Sequence, residues 1–392
     1  MIIPNFCRIF APIIDIEMNI LFLTYHGFEE ASGISKKILA QIKGLRQNGH
    51  DVHLCYYDIT SQGDHCRYVD DQIIKNYGKG RWATIRQRMK YGCIYDYCKQ
   101  NNIQLVYVRC FMNASPFNIR LFRRLHAAGI KSVMEIPTYP YDKEMETLPF
   151  KYRFEHVFDK IFRRKLASYM DAIVTFTEEK EIFGQRTICI SNGVDFDSIP
   201  LHGPLSFSHE LHLIAVAEVH PWHGIDRVIK GLGEYYRQQP ISNSNKPDVY
   251  FHLVGDVSDN MMKQFEQIIE QYQIAPYVIF HGKLFGEQLD EVFAQCQFAI
   301  GSLARHRSGI IHIKTLKNRE YASRGLPFAY SECDSDFDHQ PYVLKVPADE
   351  SPVYIESIIS FVGTQNLSPE LIRQSVSHLS WNIQMQHVMD EL

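Results

Sequence analysis

The chain of 392 residues is longer than a typical single domain and suits two domains of roughly 170 to 190 residues each. It is 45% hydrophobic and 22% charged, with a formal net charge of −4, which is ordinary for a soluble globular protein and argues against a general nucleic-acid binder. Nine cysteines without a C-x-x-C pair are typical of reduced thiols and indicate a cytoplasmic protein.

Residues 1–17 precede the first predicted strand and are either an N-terminal extension or the product of a mis-assigned start. Their apolar run is interrupted by Pro4, Arg8 and Pro12. It is too short and too broken to span a membrane, and it lacks a clear signal-peptide cleavage site. Met18 stands directly before the first strand, and no membrane span is predicted elsewhere.

Short apolar β-rich runs alternate with helical patterns along the whole chain, which predicts an α/β protein with parallel sheets and crossover helices. The first half, residues 18–192, is the predicted N-terminal domain. Its strands are predicted at 20–24, 52–57, 105–109, 132–136, 172–176 and 187–190, and its helices at 33–47, 82–99, 116–128 and 150–170.

The loop 193–209 contains two prolines and several serines and is the predicted domain boundary. Two doubly wound Rossmann-like domains would face each other across a central cleft, with ligands at the carboxyl ends of the strands. Residues 381–392 are predicted to form a terminal helix. The second domain, residues 193–380, has predicted strands at 211–217, 249–254, 278–281, 298–302 and 328–331.

The stretch 308–327 carries signals for both ends of a helix. Thr315 is a plausible N-cap, Gly325 stands where a left-handed residue ends a helix, and Pro327 prevents continuation. Such a helix presents unpaired N–H groups and partial positive charge at its start. The sequence therefore predicts an anion site here, although an ordinary amphipathic helix before a buried strand has the same local pattern.

Charged residues line this predicted helix start. Lys314 and Lys317 flank it, so that a phosphate could bind there. Glu320 follows Lys317 by three residues on the same face, where its carboxylate could accept hydrogen bonds from sugar or ribose hydroxyls.

The segment resembles the signature of the retaining GT-B glycosyltransferases of family 4, a Glu followed after seven residues by a second Glu and then by Gly-x-Pro. Glu320, Gly325 and Pro327 match its second half, whereas His312 stands in place of the first Glu. We interpret Glu320, His312 and Arg307 as the catalytic group on this resemblance. Further segments similar to the family lie in the right order at 33–37, 135–141, 191–195, 222–227 and 254–256.

The resemblance implies the GT-B fold, with an acceptor on the N-terminal domain and a nucleotide-diphosphate sugar on the C-terminal domain. It also implies that the terminal helix crosses back onto the N-terminal domain. Neither a metal nor another cofactor is expected. Asp334 and Asp336 have the spacing of metal-dependent transferases, but they follow a late strand of the second domain.

The donor loop departs from the family pattern. Members commonly bind the diphosphate with an Arg and, five residues later, a Lys before Gly; alignment on Gly224 puts Glu218 and His223 at those positions. A carboxylate roughly 4 Å from a phosphate costs about 4 kcal/mol at an effective dielectric of 20, so other residues must compensate. Besides His223 and Gly224, the expected donor-binding residues are Arg307 foremost, Lys314, Lys317, Arg227, Gly255 and Glu320.

Two loops of the first half are candidates for acceptor binding. The loop after the first strand offers His26, Gly33 and Ser35, with Gly33 permitting close backbone approach at a helix start. A second loop, stiffened by two prolines, offers Glu135 and Tyr139 for hydrogen bonding and stacking on a sugar. Plain turns are the alternative interpretation of both loops.

The helix 150–167 is basic and amphipathic, with Phe150, Phe154, Phe158 and Leu166 at helical spacing. It could dock on an anionic membrane that carries a lipid-linked acceptor, or it could simply pack its apolar face on the core.

The most favoured function is a metal-independent retaining glycosyltransferase. It would move a sugar from a nucleotide-diphosphate donor to a glycan or lipid-linked acceptor in the synthesis of a bacterial surface polysaccharide. The protein would be cytoplasmic, with peripheral contact to the inner face of the membrane as an option. Two alternatives are a GT-B nucleotide-sugar epimerase and a non-catalytic protein that binds glycans or nucleotide sugars.

Overall fold

The computed structural model describes residues 17–28, 32–110, 113–142, 150–206, 209–238, 246–364 and 366–392. The predicted N-terminal extension lies outside the described residues apart from Glu17, and so do the side chains of Phe150 and Phe154. None of the helices in these ranges combines the length and hydrophobicity that crossing a bilayer requires.

The N-terminal domain is built on one sheet, which has nine strands within the described residues, in the order β4-β3-β2-β1-β5-β6-β7-β9-β8. The strands are β1 (Asn19–Leu23), β2 (Asp51–Ile59), β3 (Asp64–Val69), β4 (Gln72–Lys79), β5 (Leu105–Arg109), β6 (Lys131–Ile136), β7 (Ala172–Thr175), β8 (Glu181–Ile182) and β9 (Gln185–Cys189). The helices are α1 (Gly33–Gln47), α2 (Gly80–Met89), α3 (Gly92–Gln100), α4 (Pro116–Ala127) and α5 (Phe150–Ala167).

The C-terminal domain has a parallel sheet of six strands, again within the described residues, in the order β12-β11-β10-β13-β14-β15. The strands are β10 (Glu210–Val216), β11 (Asp248–Val254), β12 (Val278–Gly282), β13 (Phe298–Ile300), β14 (Phe328–Tyr330) and β15 (Val343–Lys345). The helices are α6 (Ile225–Arg237), α7 (Asp259–Tyr272), α8 (Glu287–Gln295), α9 (Leu316–Arg324), α10 (Ile355–Thr364), α11 (Pro369–Ser375) and α12 (Trp381–Asp390). Single 3-10 turns are formed by Phe196–Ser198, Pro221–His223, Ala275–Tyr277, Arg305–Ser308 and Ser377–Leu379.

The predicted α/β class with two parallel sheets is confirmed. In β1, Leu21 and Leu23 pack into one core layer while Ile20 and Phe22 pack into another, which is why this strand is apolar throughout. The antiparallel pair β3 and β4 was not predicted, and the helix predicted at 82–99 is divided into α2 and α3. The cysteines of the described residues are all free thiols, most of them buried.

Helix α12 returns to the N-terminal domain and packs against α1. Trp381 at its start is 4% exposed, and a Cβ on Gly44 of α1 would lie only 2.7 Å from the carbonyl carbon of Trp381. Asn48 Nδ2 donates to the carbonyl of Asn382 over 2.8 Å. A glycine is therefore required at position 44, because only a residue without Cβ lets the two backbones approach so closely.

We predict that Gly44→Ala lowers the free energy of unfolding by about 1 to 3 kcal/mol, because the new methyl group meets backbone that cannot yield cheaply. Alanine favours a helix over glycine by about 1 kcal/mol. A loss of stability in Gly44→Ala would therefore come from the steric contact and not from helix propensity. Urea unfolding measures it. The matched control is Gly92→Ala in α3, where a Cβ meets nothing within 4 Å; an equal loss in both variants would contradict the explanation.

Three histidines form a hydrogen-bonded ladder across β10, β11 and β12. His212 Nδ1 lies 2.9 Å from His252 Nε2, and His252 Nδ1 lies 2.9 Å from His281 Nε2. Burial, with the neighbouring charges of His212 and His281, lowers the pKa of His252 from 6.5 to about 4. The central ring is therefore neutral in the folded protein at neutral pH.

We predict that this ladder makes the fold sensitive to acid. Because the pKa of His252 is lower in the folded than in the unfolded chain, the unfolded state binds more protons between about pH 4 and 6.5, and stability falls as the pH falls through that window. His252→Gln should reduce this loss by about 1 to 2 kcal/mol. Urea unfolding at pH 7 and pH 4.5 tests it, with the exposed His339→Gln as control; parallel pH profiles for all three proteins would contradict it.

Candidate functional site

The carboxyl ends of β10, β11, β13 and β14 meet at one edge of the C-terminal sheet. Strands β11 and β12 lie on one side of β10, and β13, β14 and β15 lie on the other. The connections from the two neighbouring strands therefore leave in opposite directions, which creates a crevice of the kind that binds ligands in open α/β sheets. A Cβ on Gly255 would lie 1.8 Å from the carbonyl oxygen of Ala217, so this glycine lets the loops after β10 and β11 touch. Gly224, at φ +67°, ends the turn Pro221–His223 and starts α6. Both glycines therefore shape the crevice through their backbones.

His223 is held at this edge as a neutral hydrogen-bond donor. Its side chain is buried, and its Nδ1 accepts the backbone N–H of His220 over 3.0 Å, which leaves the proton on Nε2. Burial foremost, and then the charges of Lys317, Arg305 and His220, hold the pKa of His223 far below its usual value. His223, which the sequence predicted as a donor-binding residue, can therefore offer a neutral N–H to a ligand.

Lys317 and Arg305 bring positive charge to the same place. Lys317 lies in the first turn of α9, and Arg305 starts the turn Arg305–Ser308, with its Cζ 5.7 Å from the ring centre of Trp222. Burial foremost, followed by the charge of Arg305, lowers the pKa of Lys317 to about 7. The sequence predicted Lys317, but it provided no signal that Arg305 rather than Arg307 would join it.

Glu332 is a buried carboxyl that the sequence analysis missed. It follows β14 by two residues and is 1% exposed, and neither of its carboxylate oxygens has a hydrogen-bond partner among the described residues. Burial raises its pKa to about 7, although Arg305 and Lys317 oppose the shift. A carboxyl in this state can gain or lose a proton near neutral pH.

Glu218, which stands at the position of the family's Arg, does not point into this cluster. Its side chain is 78% exposed and lies 3.7 Å from His220 Nε2. Its position in the sequence suggested that Glu218 would repel a bound phosphate. Because its side chain does not point into the cluster, that repulsion is relieved.

Arg307 does not lie free for a phosphate as the sequence analysis expected. Its two terminal nitrogens pair with Asp226 at 2.8 and 3.0 Å, and its Nε donates to Glu350 over 2.9 Å. It also donates to the carbonyl of Pro221. A phosphate would have to displace two carboxylates, because every nitrogen of this guanidinium already has an acceptor.

Arg227 is likewise used inside the protein. Its guanidinium is fully buried and donates to the carbonyls of Leu303 and Ser351 and to Asp349, which ties α6 to two loops. The expected phosphate contact is not open to it, since no part of the side chain reaches the surface.

The remaining residues of the family signature lie around α9. Glu320 is 29% exposed and pairs with Arg324 at 3.0 Å, whereas Lys314 pairs with Asp336 at 3.4 Å. His312 is exposed, forms an isolated β-bridge with Cys333, and takes part in none of the ion pairs of the described residues. Glu320 thus keeps part of its carboxylate accessible, while Lys314 is turned towards its own counter-ion.

Asp334 and Asp336 surround an arginine. Arg319 is 1% exposed, and its Nη2 lies 2.9 Å from Asp334 Oδ1 and 3.0 Å from the Ser191 hydroxyl; it also pairs with Asp336. The aspartate spacing that suggested a metal is therefore that of an ion cluster between the domains. Over the described ranges, no group of three or more His, Cys, Asp or Glu residues is arranged to hold a metal ion.

On the N-terminal side, the structure corrects the expected role of Glu135. Its carboxylate is fully buried and accepts from Gln41 at 2.6 Å and Tyr107 at 2.7 Å, with Lys37 at 3.1 Å and Arg109 at 3.2 Å. Burial raises its pKa, but the charges of Lys37 and Arg109 outweigh that effect, so that the net pKa is lowered. With four donors and no exposure, this carboxylate has no room for an acceptor hydroxyl.

The other predicted acceptor residues are divided between the surface and the interior. His26 is exposed and donates from Nδ1 to the carbonyl of Gly27, and the space beside Gly33 is open. Ser35 is buried in α1, behind the N-cap Ser32. Tyr139 is half-buried against Phe183, with ring centres 5.8 Å apart. His26, Gly33 and Tyr139 therefore remain accessible to a ligand, whereas Ser35 does not.

No model of a known protein family matches the chain, and no curated protein matches its sequence. Solved structures do match it over nearly its whole length. Sucrose-phosphate synthase from Thermosynechococcus elongatus is 13% identical with a TM-score of 0.66, covering 96% of this chain and 99% of that one. The starch synthase IV catalytic domain from Arabidopsis thaliana, bound to ADP and acarbose, is 12% identical with a TM-score of 0.61, covering 95% and 98%.

A third structure, the Anabaena protein HepE in complex with UDP and glucose, is 14% identical with a TM-score of 0.57 and covers 96% of this chain and 100% of that one. At these identities the likeness shows the fold. The expected GT-B architecture of two Rossmann-like domains is confirmed.

We predict that Glu135 stabilises the fold and does not contact the acceptor. Glu135→Gln leaves Lys37 and Arg109 buried without a counter-charge, so the free energy of unfolding should fall by about 3 kcal/mol. Because folding lowers the pKa of Glu135, its ionised carboxylate stabilises the folded protein in full above the ordinary carboxyl pKa. This contribution is lost as the pH falls through the pKa that Glu135 has in the folded protein. Urea unfolding against pH, with the exposed Glu291→Gln as control, measures both effects. If Glu135→Gln left the stability unchanged but weakened acceptor binding, Glu135 would have the acceptor-binding role that the sequence predicted.

Proposed function

We propose that this protein is a retaining glycosyltransferase that moves a sugar from a nucleotide-diphosphate donor, bound by the C-terminal domain, to a glycan or lipid-linked acceptor. The observation that carries the proposal is the convergence of His223, Arg305 and Lys317 at the start of α9. Structures of the same fold bound to UDP and glucose, or to ADP and acarbose, support it.

The cluster has the charge that a diphosphate requires. Arg305 is permanently cationic, and Lys317, with a pKa of about 7, becomes fully charged when an anion binds beside it. The first N–H groups of α9 add the positive end of the helix dipole, and the Nε2–H of His223 adds a neutral donor. In this proposal, these groups supply the positive charge and the hydrogen-bond donors that the Arg and Lys of the donor loop supply in the family that the sequence resembles.

Catalysis in this site would be mainly electrostatic. The cationic cluster and the helix end stabilise the negative charge that develops on the departing diphosphate, while the crevice orients the acceptor hydroxyl. Glu320, whose carboxylate is partly exposed, is assigned to hydroxyls of the donor. The proposed acceptor is a growing bacterial surface glycan, and the proposed location is the cytoplasm.

One observation favours a second candidate, a GT-B nucleotide-sugar epimerase. Glu332 is a buried carboxyl with a pKa of about 7, which suits a group that takes and returns a proton. In that enzyme it would act on the donor sugar without any acceptor, whereas in the transferase it serves as a counter-charge to Lys317 and Arg305.

We predict that Arg305→Gln and Lys317→Met each weaken the binding of nucleoside diphosphates by about 1.5 to 3 kcal/mol, the value of a hydrogen bond to a charged group. The matched control is Arg307→Gln, two residues from Arg305, which should change binding little because its partners are Asp226 and Glu350. Calorimetric titration of UDP, ADP and GDP, and of the nucleosides, measures the effect. Equal losses for nucleoside and diphosphate, or the larger loss in Arg307→Gln, would contradict the assignment.

Incubation of the wild type with nucleotide sugars, with and without glycan acceptors, then separates the functions. Transfer to an acceptor supports the glycosyltransferase. Epimerisation without acceptor, abolished by Glu332→Gln, supports the second candidate. Tight donor binding with neither reaction identifies a non-catalytic binding protein.

A further inference from the structure

Two helices of the N-terminal domain leave large apolar side chains in water. On α2, Trp82 is 71% exposed, and Ile85 and Met89 are each 44% exposed. On α5, Ile161 is 64% and Val157 is 57% exposed, with Phe158 beside them at 39%. We call these six side chains the α2–α5 surface. Scattered single exposures are common on proteins, but so many large ones on two neighbouring helices are not.

The geometry of each helix shows that this exposure is systematic. Trp82, Ile85 and Met89 are spaced by three and four residues and thus share one face of α2, while Ala83 and Gln87 take the buried positions. On α5, His156, Asp159 and Leu166 are buried, so Leu166 packs in the core, as the second interpretation of this helix expected. The helices are joined by an ion pair of 2.9 Å between Arg88 and Glu155.

Basic side chains border the apolar ones. Arg81 and Arg86 on α2, and Lys160 and Arg164 on α5, are exposed. Helix α2 contains no acidic residue, and of the acids on the described part of α5, Glu155 pairs with Arg88 and Asp159 is buried. The surface is therefore apolar at its centre and positive around it, which complements an anionic partner.

The topology places the start of α2 at the carboxyl edge of the N-terminal sheet. Strand β3 runs antiparallel to β2, and β4 runs antiparallel to β3, so β4 ends at the same edge of the sheet as the parallel strands. Helix α2 begins directly after β4. The loop after β6, which includes Tyr139, leaves the same edge and leads towards α5.

We propose that the α2–α5 surface docks the protein on an anionic lipid bilayer. Its exposed tryptophan and aliphatic side chains enter the boundary between headgroups and acyl chains, and the surrounding arginines and lysines bind the anionic headgroups. The excess of positive charge on this surface opposes pairing with a second copy of the same surface. Docking is independent of the donor crevice, and it would present the N-terminal side of the cleft to an acceptor carried by lipid.

The test is flotation of the full chain with vesicles of phosphatidylcholine alone and of equal parts phosphatidylcholine and phosphatidylglycerol. We expect binding to the mixed vesicles, weakened by salt, and little binding to the neutral ones. The double variant Trp82→Ser with Ile161→Ser should bind at least about tenfold more weakly, and so should Arg86→Gln with Arg164→Gln. The control is Tyr354→Ser with Leu371→Ser, which removes two side chains that are 65% and 51% exposed on the C-terminal domain.

No binding of the wild type to mixed vesicles, equal binding to both vesicle types, or equal loss in the control would overturn the proposal. Sedimentation velocity provides a further check: a dimer of the wild type that dissociates in the Trp82→Ser, Ile161→Ser variant would make this surface an interface between copies instead. Nucleoside diphosphate binding should be unchanged in all of these variants, which separates a docking defect from a folding defect and from a failure of the proposed donor site.

Discussion

The buried guanidinium of Arg319 links the two domains and positions the start of α9. Arg319 binds Asp334 and Asp336, which follow β14, and the hydroxyl of Ser191 at the end of the N-terminal domain. It also donates to the carbonyl of Thr315 at the cap of α9. Because a buried charge that loses its partners destabilises a protein by several kcal/mol, these elements are held in one arrangement. The helix end assigned to the diphosphate thus depends on the same ion cluster as the domain interface.

The same principle explains which charges are left for a ligand. Glu135, Arg227 and Arg307 all have complete sets of protein partners, so they stabilise loops and helix packing. Half-buried Lys317 and buried Glu332 instead lie in one cluster, where their pKa values are moved towards neutrality from opposite sides. Such groups respond to an incoming anion by changing their protonation, which is a property of binding sites more than of structural ion pairs.

Local signals were sufficient for part of the site. The caps of α9 and the glycine before α6 depend on neighbouring residues only, so the sequence led correctly to a helix start at residue 316 and to the placement of His223 and Lys317 at one edge. Arg305 and Arg307 have the same local surroundings and could not be distinguished in this way. Arg307 is taken by Glu350, which is 43 residues away in the chain, and no local pattern encodes that pairing.

The alternation of apolar runs and helical segments established the α/β class and the two domains with parallel sheets, because parallel strands buried on both faces must be apolar throughout. Burial of individual side chains depended on packing between distant segments. Glu135 lies near the carboxyl end of β6, where a ligand-binding residue would lie, yet Lys37 and Gln41 from α1 enclose it. The stripe of Trp82, Ile85 and Met89 has the spacing of a core-facing helix, but Ala83 and Gln87 occupy the inward face, and the large side chains are exposed.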